Sequence, residues 1–313
     1  MGAYIAGRLF STLIVMAIVG LIVFLLLHLA PGSPAAIVAG DNATPAQIAQ
    51  INHELGLDKP LPVQFGIWAW NIIRGQFGTS IFSGVPVMEL VRQRLPATIS
   101  LTFITMAFAA TVAVTAGVFA AWRAGGGLDR TLMGIAAFGF SVPVFVVGYF
   151  LIYLFAIVLH WLPVQGYEPL ARGFWPWLSH LILPALALGL AYLALIARIT
   201  RASVLEVLSE DYMRTARAKG ASTASQLFHH ALRNAGVPIA TVIGIGIALL
   251  ISGVVLTETV FNIPGIGRLT VDAITNRDYP IIQGVMVVFS GAYVIINLLV
   301  DLSYTLIDPR IRR

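Results

Sequence analysis

The sequence predicts an all-α polytopic membrane protein with six transmembrane helices. Three observations carry that prediction: 58% of the 313 residues are hydrophobic, only 11% are charged, and the apolar residues gather in six long charge-free runs. Soluble domains carry roughly 25% charged residues, so this composition, with a mean hydropathy of +0.88, excludes a soluble enzyme. The runs show no period-two alternation, so they read as helices rather than barrel strands. About 20 apolar residues suffice for one helical crossing.

The first run, 9–30, exceeds the roughly 7–15 apolar residues of a signal peptide, and five more runs follow it. It reads as an uncleaved first span. Residues 31–96 then form a helical excursion outside the membrane. There Thr44-Pro45-Ala46-Gln47 is a helix start with Thr44 as N-cap and Gln47 closing a capping box. Gly56 should end that helix, and Phe65, Trp68 and Trp70 mark an amphipathic piece at the interface. Val85-Pro86 opens a further short helix expected to end before Pro96.

The second span, 97–122, carries Ala113, Gly117 and Ala121, a small-residue face suited to close helix packing. The third, 131–159, and the fourth, 178–197, contain Pro143 and Pro184, each expected to kink its helix. The loop at 198–236 reads as helix, break, helix: Ser203–Lys219, a stop at Gly220, then a start capped by Thr223 with Gln226. Leu227, Phe228, Ala231 and Leu232 form an apolar stripe on the second piece. It either packs on the loop's own first helix or docks on another protein, the reading favoured here because so short a helix is marginal alone.

The fifth span, 237–257, closes at Glu258. The sixth, 281–300, extends to about 306 and carries Ser290, Tyr293, Asn297, Asp301, Tyr304 and Asp308 at intervals of three and four, hence on one helical face. That face serves interhelical hydrogen bonding or lines a passage. Twelve of the 19 Lys and Arg residues lie in the terminal segments and the 123–130 and 198–236 loops, and seven in the longer loops at 31–96, 160–177 and 262–280. The positive-inside rule puts both termini in the cytoplasm. It also accounts for the net charge of +5 without nucleic acid.

Several chemistries are excluded. The chain has no cysteine, and its two lysines, Lys59 and Lys219, fit no phosphate-binding Gly-x-x-x-x-Gly-Lys loop. His229 and His230 are adjacent and cannot chelate as an i, i+4 pair would. No catalytic residue, cofactor site or metal site is assigned. Charge-free span cores disfavour an ion-coupled carrier.

Tyr212-Met213-Arg214-Thr215-Ala216-Arg217-Ala218-Lys219-Gly220, with His230-Ala231-Leu232-Arg233-Asn234 after it, resembles the cytoplasmic coupling loop of binding-protein-dependent ABC importer permeases. More specifically it is similar to the first permease of the dipeptide/oligopeptide group, which also serves glutathione and nickel chelates. Arg214-Thr215-Ala216 stands where the wider group has Glu-Ala-Ala. The resemblance continues through Leu55-Gly56-Leu57-Asp58-Lys59-Pro60, Gly75-Gln76-Phe77-Gly78-Thr79-Ser80, the block Glu258–Arg268, and Asp308-Pro309-Arg310. Gly32-Ser33-Pro34 departs from a frequent Gly-Asp-Pro.

What the resemblance implies is a type I importer permease (MetI-like) fold: residues 1–30 as leading span, 31–96 as periplasmic excursion, and 97–313 as permease core with the coupling loop at 198–236. It implies a bacterial or archaeal inner-membrane subunit without its own ATPase site, ATP and Mg being bound by partner subunits. The implied partners are a second homologous permease, one or two ATP-binding subunits, a periplasmic or lipid-anchored substrate-binding protein, and membrane lipids. Arg214, Thr215, Ala216, Arg217, Ala218, Lys219, Gly220, Ala221 and Ser222 are the expected ATPase-coupling residues. Ser290, Tyr293, Asn297 and Asp301 are the candidate passage-lining ones, and short peptides the expected substrate.

Overall fold

The computed structural model describes residues 2–29, 44–54 and 56–307. Among them there is no named strand, only an isolated antiparallel bridge between Thr79 and Pro86. The elements are α1 (Gly2–Leu29), α2 (Pro45–Glu54), α3 (Leu61–Ile73), α4 (Val87–Trp122), α5 (Gly127–Ser141), α6 (Val144–Leu151), α7 (Phe174–Ser209), α8 (Asp211–Ala218), α9 (Gly236–Gly253), α10 (Val255–Val260), α11 (Ile266–Thr275) and α12 (Tyr279–Ile307). π-Helical stretches at Ile152–Val158 and Ser225–Ala231 extend α6 and precede α9. Asp308, Pro309 and Arg310, and the Gly32-Ser33-Pro34 segment, lie outside the described residues.

Three helices, α4, α7 and α12, are long and apolar enough to cross a membrane. Two bent pairs qualify as broken spans: α5 with α6 and its π extension, and the Ser225–Asn234 segment with α9. α1 adds a 28-residue helix, apolar from Phe10 to Leu25. Among the described residues each of the six predicted runs falls on helix; the third is bent sharply within itself, and the fifth follows a bend of 65° at Ala235.

Proline chemistry explains where helices break and where they do not. At Pro143 the third span is not kinked but turned through 98°. Pro143 disfavours helical backbone at the residue before it, and Val142 is extended at φ −89°, ψ 129°. Pro184, expected to kink its helix, leaves α7 continuous from Phe174 to Ser209. Pro96 likewise fails to end a helix: α4 runs through it for 36 residues. Buried Val87 and Val91 before it, and Ala97 and Leu101 after it, hold both flanks. Their burial outweighs the roughly 3 kcal/mol that an interior proline costs.

The chain divides into two compact units, one of Pro96–Arg268 with the chain from Tyr293 on, the other of Gly2–Leu95 with Leu269–Ala292. In the first, α7 is the central helix and packs on α5, α6, α9 and α10. Its most apolar stretch is 61% buried, against 39% for α4. The small-residue face works as expected: Ala113 and Ala121 are buried, and Gly117 lies so close to α7 that a Cβ there would stand 2.7 Å from the Ala197 carbonyl.

In the second unit, α2 begins with the predicted box. The Thr44 N–H donates to Gln47 Oε1 at 2.8 Å, and the Gln47 N–H donates to Thr44 Oγ1 at 3.4 Å. Phe65 and Trp68 of α3 pack on Phe24 of α1, at 5.4 and 5.9 Å between ring centroids. The buried Ser80 hydroxyl donates to Asp278 at 2.6 Å, tying the segment before α4 to the start of α12.

Candidate functional site

The loop after α7 is built as a capped helical hairpin. The expected single helix over Ser203–Lys219 is divided: α7 continues to Ser209, Glu210 is extended at ψ 148°, and α8 restarts at Asp211. α8 ends as predicted at Gly220, whose φ is +82°. The Gly220 N–H donates to the Arg217 carbonyl at 3.0 Å and the Ala221 N–H to the Ala216 carbonyl at 3.1 Å. That pair of bonds is a Schellman stop, which requires a left-handed residue at the glycine position.

The restart differs by one residue from expectation. Ser222, not Thr223, is the N-cap, its Oγ accepting from the Ser225 N–H at 3.3 Å. Gln226 instead crosses the turn. Its amide donates to the Ala221 carbonyl at 2.7 Å, and its oxygen accepts from Arg217 Nε at 3.4 Å. The turn is thus held from both sides.

Burial decides which surface this hairpin offers. Met213 of α8 is fully buried, as are Leu227 and Ala231 of the π-helical stretch. Leu227 and Ala231 join Val118, Ala121 and Val204 in one cluster with Ala235 and Ile239. The apolar stripe, favoured from the sequence as a docking face, packs into its own chain. Leu232 is partly buried against the same cluster and Phe228 stays exposed, its ring meeting Phe119 edge-on at 6.3 Å. Arg214, Thr215, Arg217, Ala218, Lys219, Gly220 and Ser222 are exposed, with Ala216 and Ala221 half-buried between them. The free surface is therefore polar and carries three cations.

A buried ion pair stiffens the helix behind the hairpin. Arg201 of α7 donates to both oxygens of Asp129 at 2.6 and 2.7 Å, and the Gly125 N–H adds a third bond at 2.8 Å. The Asp129 side chain is only 6% exposed. Such two-toothed pairs fix orientation as well as distance. Residues 72 apart in sequence give no one-sequence signal for this pairing.

The candidate lining face on α12 is not uniform. The Ser290 hydroxyl donates to the Met286 carbonyl at 2.7 Å and the Asn297 amide to the Tyr293 carbonyl at 3.0 Å, so both satisfy polar atoms within their own helix. Tyr293 is exposed and Asp301 buried. Tyr304 pairs with Thr241 of α9 at 2.8 Å. Interhelical bonding thus accounts for Tyr304, while Tyr293 is the member left open.

A second buried acid orders the segment from Glu258 to Arg268. Glu258 is completely buried. The Thr98 hydroxyl donates to its Oε1 at 2.7 Å, and the Arg268 N–H donates to Oε2 at 2.9 Å. Thr98 in turn accepts from the Ile266 N–H at 2.9 Å. The carboxylate therefore accepts from the Arg268 N–H in the first turn of α11, where the helix dipole favours an anion. Gly265 and Gly267 leave it room, since a Cβ on Gly265 would overlap the carboxylate.

Known proteins carry the same architecture. Residues 113–313 match the family described as binding-protein-dependent transport system inner membrane component, and residues 1–102 match its N-terminal membrane-component companion. A probable peptide ABC transporter permease of Sinorhizobium fredii is 65% identical over 312 residues, covering 100% of both chains. A glutathione transport system permease of Pectobacterium atrosepticum is 44% identical, covering 99% of this chain and 98% of its own. A dipeptide transport system permease of Alkalihalophilus pseudofirmus is 40% identical over 99% of each. Among solved structures, an inward-facing methionine ABC transporter matches with a TM-score of 0.59 at 17% identity, over 71% of this chain and 97% of that one. That likeness extends to the fold. The chain belongs to the binding-protein-dependent transport system inner membrane component family, the membrane-spanning permeases of ABC importers.

Proposed function

We propose that this chain is one of two homologous permeases of an ATP-driven importer of short peptides in a bacterial inner membrane, with both termini in the cytoplasm. A substrate-binding protein delivers the peptide at the outer face. ATP-binding subunits, which supply ATP and Mg, dock on the hairpin around Gly220 through Arg214, Arg217 and Lys219. The carrying observation is that hairpin: a polar, exposed turn held by a Schellman stop on one side and a Ser222 cap on the other. Set on α7, it is a rigid lever whose displacement moves the helices packed against α7. The peptide assignment is supported by the 65% identical relative. Tyr293, with Ser290, Asn297 and Asp301 along the same helix, is the proposed passage lining.

The glutathione permease at 44% identity supports a second substrate reading with the same architecture. The deciding measurement is uptake of a labelled dipeptide and of labelled glutathione in cells with and without the gene, before and after ATP depletion. Dipeptide uptake that needs both gene and ATP is the expected result. Gene-dependent uptake of glutathione alone would replace the substrate. Gene-dependent uptake that persists after ATP depletion would overturn the ATP-driven assignment.

A further inference from the structure

α3 has an unusual surface for a 13-residue helix. It carries no charged residue, and none of its residues is buried. Leu61, Val63, Ile67, Trp70 and Ile73 are all exposed, Ile73 by 76%. In water this would be an apolar patch without cover, which soluble surfaces avoid. At about 1.5 Å per residue the helix is also too short to cross a core of about 30 Å. Both facts place α3 inside a single leaflet, lying along α1.

Between α1 and α3 runs a groove of about 370 Å³, its wall almost wholly apolar. Met16 and Gly20 of α1, Trp68, Ile72 and Ile73 of α3, and Val287 of α12 line it. Water gains nothing in such a groove, and the medium beside α3 is hydrocarbon. At one end Ile73 leads directly to Arg74, whose guanidinium lies over the Trp70 ring at 4.5 Å from its centroid. Arg74 is the single charged residue between Lys59 and Glu89. Among the described residues no carboxylate forms an ion pair with it.

We infer that this groove is a phospholipid site, one acyl chain filling it and the headgroup phosphate meeting Arg74. The two parts match the two ends of the ligand: an apolar channel for the chain, and a forked cation steadied on tryptophan for the phosphate. Trp70 sits where an interfacial anchor belongs. This site depends on the membrane location alone and not on the transported substrate.

The test is photolabelling of the full chain in its assembled complex, reconstituted in phosphatidylcholine vesicles. One arm is doped with phosphatidylglycerol bearing a photoreactive acyl chain, the parallel arm with the matching diacylglycerol, which lacks phosphate. Labelled segments are located by peptide mass spectrometry. In the native protein, phosphatidylglycerol should label α1 and α3 well above the exposed Phe138 and Phe140 surface of α5, and above the diacylglycerol arm. Arg74→Gln should lower phosphatidylglycerol labelling about three- to tenfold, the worth of one exposed charge-assisted hydrogen bond, and leave diacylglycerol labelling unchanged. Gly20→Leu, whose Cβ would meet Trp68 at an ordinary 3.6 Å, should lower both. Equal labelling of α3 and the α5 surface in the native protein would overturn the site, as would an Arg74→Gln variant that labels like the native chain.

Discussion

Gly220 holds a backbone angle of +82° and donates its N–H to Arg217, so two separate demands fall on one position. Gly220→Pro violates both, because proline fixes φ near −65° and has no N–H. The variant should insert and express but lose most uptake and fail to retain the ATP-binding subunits on purification. Gly220→Asn, which tolerates the left-handed region, should recover much of both. Normal uptake by the proline variant would remove the hairpin from the docking surface. Thr98 poses a similar two-sided case, since its hydroxyl gives to Glu258 and takes from the Ile266 N–H. Thr98→Val removes both of these buried hydrogen bonds at once, at a cost of about 1–3 kcal/mol. Thermal unfolding in detergent should show that loss, and a melting temperature equal to the native one would refute the capping role.

Between elements, the Asp129–Arg201 pair is a two-bond polar tie that joins the start of α5 to α7 just before the hairpin. Removing one partner leaves the other charge poorly solvated, and Asp129→Asn or Arg201→Gln should each cost about 3 kcal/mol, the lower end for buried pairs because Arg201 is 30% exposed. The two variants combined should cost less than their sum, which a double-mutant cycle of unfolding free energies measures. Simple additivity would show that the two side chains act independently. Such pairings also mark where sequence reading stops. Hydrophobic runs, the Thr44 box and the Gly220 stop were legible because each is written within a few neighbouring residues. The 98° turn at Pro143 was not, since a proline states that a helix is disfavoured but not how far the chain then swings. The continuity of α4 through Pro96 depended on burial of Val91 and Leu101 by other helices. Of the 198–236 loop, the stretch Arg214 to Ser222 was readable as a motif. The inward turn of Leu227 and Ala231 required knowing that Val118 and Val204 lie beneath them.

On the scale of the whole molecule, the charge distribution makes a claim about sidedness that no contact within the chain can make. Lys and Arg concentrate in the 123–130 and 198–236 loops and at the termini, and the positive-inside rule places that side in the cytoplasm. The absence of cysteine allows a direct measurement, because any introduced thiol is the only one in the chain. Lys219 and Ala171 are both exposed, and neither substitution removes a buried contact. In intact spheroplasts a membrane-impermeant maleimide should label Ala171→Cys at once and Lys219→Cys only after the membrane is opened. The sign of the result carries the mechanism with it. A hairpin on the cytoplasmic side can meet ATP-binding subunits, which have access to nucleotide there. Labelling of Lys219→Cys from outside would place the hairpin where no ATP is available, and the coupling role of Arg214, Arg217 and Lys219 would fall with it.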